Sequence, residues 1–153
     1  MKKILLFLSL FCVLQISAQN KNKKPVTPAS SLPKITVSIG NTTGGNISAE
    51  SLSKIVDSAL TAKDANGNNY AIIRFRVLYK FKSTYQDQNT GEKKTTDDMR
   101  TNNFSNTSVM PELWRQSIKD NVKAGDEMII DEIIVKLKNG SKIMAPSVTF
   151  KVI

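Results

Sequence analysis

The sequence predicts an α+β fold: a mostly antiparallel β-sheet, open or folded over as a sandwich, with two short helices. Three observations predict it. From Tyr70 to Thr84 apolar and cationic residues alternate, the period of a strand with one buried face. Asn139-Gly140 separates two apolar runs, the signature of a two-residue type I′ hairpin turn. Ser48 to Leu60 and Pro111 to Val122 instead repeat their apolar residues at helical spacing. Runs of strand joined by turns, rather than alternating with long helices, favour antiparallel pairing.

Residues 1–18 read as an export signal. Lys2 and Lys3 are followed by an apolar run from Ile4 to Leu14, then by Ser17 and Ala18 before a cleavage ahead of Gln19. That run falls short of the roughly 20 apolar residues needed to span a bilayer. Cys12, the chain's one cysteine, lies mid-run behind bulky Phe11, where it is an ordinary signal residue rather than a lipid-attachment site. With no other thiol, the exported chain is expected to be stabilised by a core and not by disulfides. Residues 19–33 hold Lys21, Lys23, Lys24, Pro25, Pro28 and Pro33 and read as an extended linker. Residues 34–153 then suit one domain.

Ile35, Val37 and Ile39 alternate as a half-buried strand, and Gly40 to Asn46 is a glycine-rich turn. Gly44-Gly45 lacks the flanking pattern of a phosphate loop, so positive φ explains the pair. Ser48 suits an N-cap and Glu50 the first turn of a helix. Its apolar face would be Leu52, Ile55, Val56, Ala59 and Leu60, with Ile47 and Leu52 as a hydrophobic staple. A turn at Asp64 to Asn69 ends that unit.

In the strand that follows, Ile73, Phe75, Val77, Tyr79 and Phe81 share one face and Arg74, Arg76, Lys80 and Lys82 the other. The cationic stripe is either the solvated back of a sheet or a candidate partner-binding surface for an anion. Tyr85 to Asn103 is polar, an extended hairpin or a mobile loop turning at Asn89 to Glu92. Pro111 opens the second helix, whose buried face would be Leu113, Trp114, Ser117, Ile118 and Val122, with Trp114 a core anchor. Lys119 and Lys123 suit its C-terminal end before Gly125. Glu127 to Lys138 and Lys142 to Ile153 form the last hairpin, with Pro146 at a bulge or edge position.

The formal charge of +9 overstates the folded part's basicity. Six of the 22 basic residues, Lys2, Lys3, Lys21, Lys23, Lys24 and Lys34, precede the first acidic residue, Glu50, which leaves 16 basic residues against 13 acidic ones, or +3. Such a balance gives little reason to expect nucleic-acid binding. The absence of histidine excludes a Ser-His-Asp triad and imidazole metal ligation; the loss of Cys12 excludes a thiol nucleophile and the usual zinc sites. Asp97-Asp98 and Asp131-Glu132 remain as adjacent carboxylates, but neighbours on a strand point to opposite faces and would not converge on one substrate. No catalytic, metal or cofactor residues are expected.

Three ordered segments carry a resemblance. The first runs from Pro33-Lys34-Ile35-Thr36-Val37 through Gly40, Thr43-Gly44-Gly45 and Ile47-Ser48 to Leu52. The second is Phe75-Arg76-Val77 with Asn103-Phe104-Ser105. The third is Gly125-Asp126-Glu127, Ile133, Lys136, Asn139-Gly140 and Val148-Thr149-Phe150-Lys151-Val152. Together they resemble the C-terminal periplasmic domain of the gliding-motility and type IX secretion protein family GldM, or PorM. The resemblance implies a non-catalytic β-rich module of a dimeric protein that docks on outer-membrane-associated ring components. This sequence departs from the family in having a cleavable signal and linker in place of a transmembrane helix and further periplasmic domains. Its polar stretch Tyr85 to Asn102 is also longer. The reading is therefore a periplasmic or secreted adaptor or accessory module without a transmembrane anchor, for which a homodimer is open. The alternative is a secreted module that binds an anionic glycan or envelope polymer through Arg74, Arg76, Lys80 and Lys82.

Overall fold

The computed structural model describes residues 32–153; the expected signal at 1–18 and all of the expected linker except Leu32 and Pro33 lie outside them. The elements are β1 (Ile35–Ile39), β2 (Gly45–Ile47), α1 (Ala49–Ile55), β3 (Leu60–Asp64), β4 (Asn69–Gln86), β5 (Lys93–Ser105), α2 (Glu112–Asn121), β6 (Glu127–Lys136), β7 (Lys142–Met144) and β8 (Val148–Val152). This is the α+β, β-rich fold expected. The strands follow the order β1-β3-β4-β6-β8-β2, with β5 added to β4 and β7 to β6. Every pairing is antiparallel except that of β2 with β8.

The core forms where alternate strand residues meet the helices. Val37 and Ile39 of β1, Leu52 of α1, Phe75 and Val77 of β4, Ile130 and Val135 of β6 and Phe150 of β8 belong to one buried cluster. β4 pairs with β3 at Asn69 and Tyr70, with β6 from Ala71 to Lys80 and with β5 from Arg74 to Gln86. Its register against β6 slips on both sides of Arg74. The phase of burial changes there: Tyr70 and Ile72 pack against the core before the slip, and Phe75, Val77 and Tyr79 after it. Ile73 therefore does not continue the Phe75 face as simple alternation implies, because a bulge shifts the side-chain period by one residue.

Ser48 caps α1 as expected, its Oγ accepting from the Ser51 N–H at 3.2 Å. The helix stops at Ile55, well short of Leu60, leaving Ala59 exposed. Leu60 and Ala62 are instead the buried residues of β3, and Ser38 and Thr61 share a 2.8 Å hydroxyl bond across the β1–β3 pair. Leu60 satisfies a helical and a strand period equally, and pairing with β1 decides between them. The next turn is organised by Asp64, whose carboxylate accepts the N–H groups of Asn66 and Asn68, the Asn68 side chain and the Tyr70 hydroxyl at 2.8–2.9 Å. Led by the Asn68 side-chain bond, these hold its carboxyl at about 2.

The stretch Tyr85 to Asn103 is an extended hairpin. Gln86 pairs with Lys93 around a turn in which Asp87 N–H donates to the Glu92 carbonyl at 2.8 Å. At the last hairpin Asn139-Gly140 does turn the chain, but not as a type I′ pair. Gly140 has φ +85 while Asn139 is not in the positive-φ region that a type I′ turn demands. Leu137 N–H donates to the Ser141 carbonyl at 2.8 Å around Lys138 to Gly140, and Asn139 Oδ1 accepts from Ser141 instead. The final run is also divided. Pro146, lacking an N–H, falls in the gap between β7 and β8, opposite the bulged part of β6.

Two glycines admit the parallel β2–β8 pair. Gly44 (φ +111) would place a Cβ 2.7 Å from the Thr149 carbonyl oxygen, whereas one on Gly45 (φ +103) would meet nothing within 4 Å. Gly45→Ala should cost about 1–3 kcal/mol from backbone strain alone. Gly44→Ala should lower stability by at least about 1 kcal/mol more, as overpacking adds to strain; equal denaturation midpoints for the two variants would show that the close approach at Gly44 is unimportant.

Candidate functional site

The four cations of the sequence stripe do share the outer face of β4, but β6 neutralises most of it. Arg74 meets Glu132 at 2.6 Å, and Lys80 meets Glu127 at 2.9 Å. Arg76 grips Asp131 with two bonds, Nε to Oδ1 and Nη2 to Oδ2, both 2.8 Å, and reaches Glu132 at 2.9 Å through Nη1. The Asp131 bonds are the main cause of a raised Arg76 pKa. Lys82 is the stripe's one cation without a carboxylate partner among the described residues.

Asp131 and Glu132 do converge, contrary to the alternation argument. Glu132 lies at φ +45 where β6 bulges between the partners of Arg74 and Arg76, so both carboxylates reach one guanidinium. Their convergence satisfies cations and leaves no free carboxylate pair. Asp98 Oδ1 accepts from the Met99 N–H at 2.7 Å. Among the described residues no group of three or more His, Cys, Asp or Glu side chains forms a potential metal-binding set.

A second surface is built by the β4–β5 arm and α2. Pairing with β6 ends at Lys80, while pairing with β5 runs on to Gln86, so β4 and β5 project past the sheet as two strands. α2 packs beside them through Trp114, edge-on to Phe104 at 5.7 Å, and through fully buried Ile118. Trp114 is thus a core anchor as expected. Leu113 is not buried as expected: it is 85% exposed, because a helix that turns positions 114 and 118 toward the sheet turns 113 away.

Between α2 and the arm lie two chambers of about 490 and 230 Å³ that share Tyr79, Arg100 and Ser117. Pro111, Leu113, Trp114 and Ile118 make the larger one apolar; Asn121, Lys123 and the Lys82 carbonyl, which accepts from Lys123 Nζ at 2.6 Å, make the smaller one polar. Arg100 divides them, donating to Ser117 Oγ at 2.8 Å with its guanidinium 5.1 Å from the Phe81 ring centroid. No acidic residue lines either chamber.

Tyr79 forms part of the wall common to both chambers and is fixed from below. Its hydroxyl donates to Asp126 Oδ2 at 2.5 Å, and the Lys123 N–H donates to the same oxygen at 3.0 Å. Asp126 is 2% exposed, and its Oδ1 has no hydrogen-bond partner among the described residues. Burial, then the Asp126 bond, pushes the Tyr79 hydroxyl well above its usual range.

Arg100 and Lys123 were not singled out by sequence as site residues. The missing information was register: the Asp87–Glu92 turn places Arg100 opposite Tyr79. Among the described residues no helix is long and apolar enough to cross a membrane. No protein-family model matches the chain, and no curated protein matches it.

A double-mutant cycle on Arg76→Met and Asp131→Leu should give a coupling of about 1 kcal/mol for a pair exposed by about a third. It should shrink at about 1 M salt. Tyr79→Phe should cost about 1–3 kcal/mol by removing a donor from buried Asp126. Folding raises the Tyr79 pKa above 10.0, so its contribution is fully present below pH 10 and is lost as pH rises beyond it. Urea titrations across that window should show a smaller alkaline loss in the phenylalanine variant.

Proposed function

We propose that this chain is a non-catalytic protein-interaction module, exported to the periplasm or beyond, that serves as an adaptor or accessory part of a type IX secretion or gliding-motility machine. The observation that carries the interaction reading is β5. It is a 13-residue strand in which Phe104 alone is buried, and among the described residues it is paired only with β4. Sheets ordinarily shorten, cover or bulge such an edge. A long polar strand that adds one side chain to the core makes better sense as a surface offered to another molecule.

The ordered resemblance to the GldM C-terminal domain supports the assignment to that machine, and the export signal read at residues 1–18 supports the compartment. The arm occupies the polar stretch that is longer here than in the family, so a contact made by it would be particular to this chain. A non-catalytic role accords with the absence of histidine and with the engagement of Asp131 and Glu132 by arginines. An anionic glycan is the second reading. Its specific support is Lys82, the stripe's one cation without an ion pair among the described residues, rather than the stripe as a whole.

Affinity purification of the tagged chain from its native envelope should recover components of the secretion or gliding machine, and a deletion strain should be impaired in secretion or gliding. Recovery of none of them, together with normal secretion and gliding, would refute the assignment. Salt-sensitive retention on an anionic polysaccharide that is lost in Lys82→Glu would favour the second reading.

A further inference from the structure

Building on the protein-interaction reading above, we propose that the groove between α2 and the free edge of β5 receives an extended segment of a partner protein, rich in acidic and apolar residues, that adds to the sheet as a strand. The bonds from Asp87 N–H to the Glu92 carbonyl and from Asn106 N–H to the Ile73 carbonyl, both 2.8 Å, fix the alternation of the hairpin ladder. Even-numbered residues of β5 bond to β4. The odd-numbered ones, from Lys93 to Ser105, direct their backbone groups outward.

Two of these outward N–H groups are held by the preceding side chain, Met99 by Asp98 Oδ1 at 2.7 Å and Asn103 by Asn102 Oδ1 at 2.9 Å. A single local side-chain acceptor is readily exchanged for the carbonyl of an added strand. Those of Thr95, Asp97 and Thr101 need no such exchange. The edge thus offers a backbone's spacing of donors and acceptors, which another extended backbone matches and a glycan does not.

The groove supplies the side-chain chemistry. The larger chamber, at about 490 Å³, is within the range of ligand pockets, roughly 300–1,000 Å³. Trp114 and exposed Leu113 give it apolar walls. Arg100 and Lys123 stand in the groove without carboxylate partners among the described residues, although Arg74, Arg76 and Lys80 on β4 are all paired. An added strand that places apolar residues against Trp114 and carboxylates near Arg100 complements both features.

The test uses the full chain and a fluorescent ten-residue peptide that alternates glutamate with leucine. Its controls are a lysine-leucine peptide and a backbone N-methylated form of the glutamate peptide. The glutamate peptide should bind at least about tenfold more tightly than either control, since charge sets the first comparison and backbone pairing the second. Amide exchange at Thr95, Asp97 and Thr101 should slow on binding. Arg100→Gln should weaken binding by about tenfold through the lost charge. Thr101→Pro, which removes an outward N–H at a position an edge strand tolerates, should weaken it with little change in melting temperature.

Equal binding of the lysine or N-methylated peptide, no binding of the glutamate peptide, or unprotected β5 amides would each overturn the proposal. So would polygalacturonate binding that depends on Arg100 and exceeds that of the peptide. Failure of the peptide while envelope proteins are still recovered would remove this mode of docking and leave the adaptor reading standing.

Discussion

A strand has two edges, and β4 has three partners. β6 occupies one edge from Ala71 to Lys80 and β5 the other from Arg74 to Gln86, so β3, paired at Asn69 and Tyr70, must sit in series with one of them. The hydrogen bond from Leu60 N–H to the Ser108 carbonyl, 2.7 Å, ties the start of β3 to the chain just beyond β5. The bulge around Arg74 reconciles these demands. It lets Tyr70 and Ile72 point into the same core as Phe75 and Val77, although the two sets are out of phase. The irregularity on β6 also carries Glu132 to the side of Asp131, and so completes the clasp on Arg76.

The same constraint separates two electrostatic regimes. Where β6 accompanies β4, Arg74, Arg76 and Lys80 are matched by Glu132, Asp131 and Glu127 across one ladder step or two. Partly exposed pairs of this kind contribute modestly to stability but leave little net field. Where β6 ends, its carboxylates no longer accompany β4. Arg100 and Lys123 then line a groove with aromatic neighbours and, among the described residues, no acid. Tyr79 stands at the boundary, bonded to buried Asp126, which fixes the groove's wall to the turn before β6.

Much of the fold was legible because single residues had single readings. Phe75, Val77 and Tyr79 alternate with cations too regularly to be helical, and Ser48 before an apolar periodic segment is a cap. The misreadings arose where one residue served two patterns. Leu60 and Ala59 extend a helical face on paper, but Leu60 also begins an alternating pair with Ala62, and only the partner strand β1 selects between them. Asp131 and Glu132 obey alternation until a bulge, which one sequence does not announce, suspends it. The candidate site was harder still. Arg100 matters because it faces Tyr79 and Ser117 from two other elements, and sequence order carries no trace of that meeting without a fixed hairpin register.

β8 lies between β6 and β2, and Gly45 of β2 pairs with Phe150, more than a hundred residues away. β2 therefore cannot join the sheet until the last strand has been synthesised. Residues 35–64 can form the β1–β3 pair and α1, but β2 has no strand to join until Val148 to Val152 arrive. Long-range closure of this kind slows folding. The topology itself postpones completion of the sheet until the last strand is available, so compaction is a late event set by the far end of the chain.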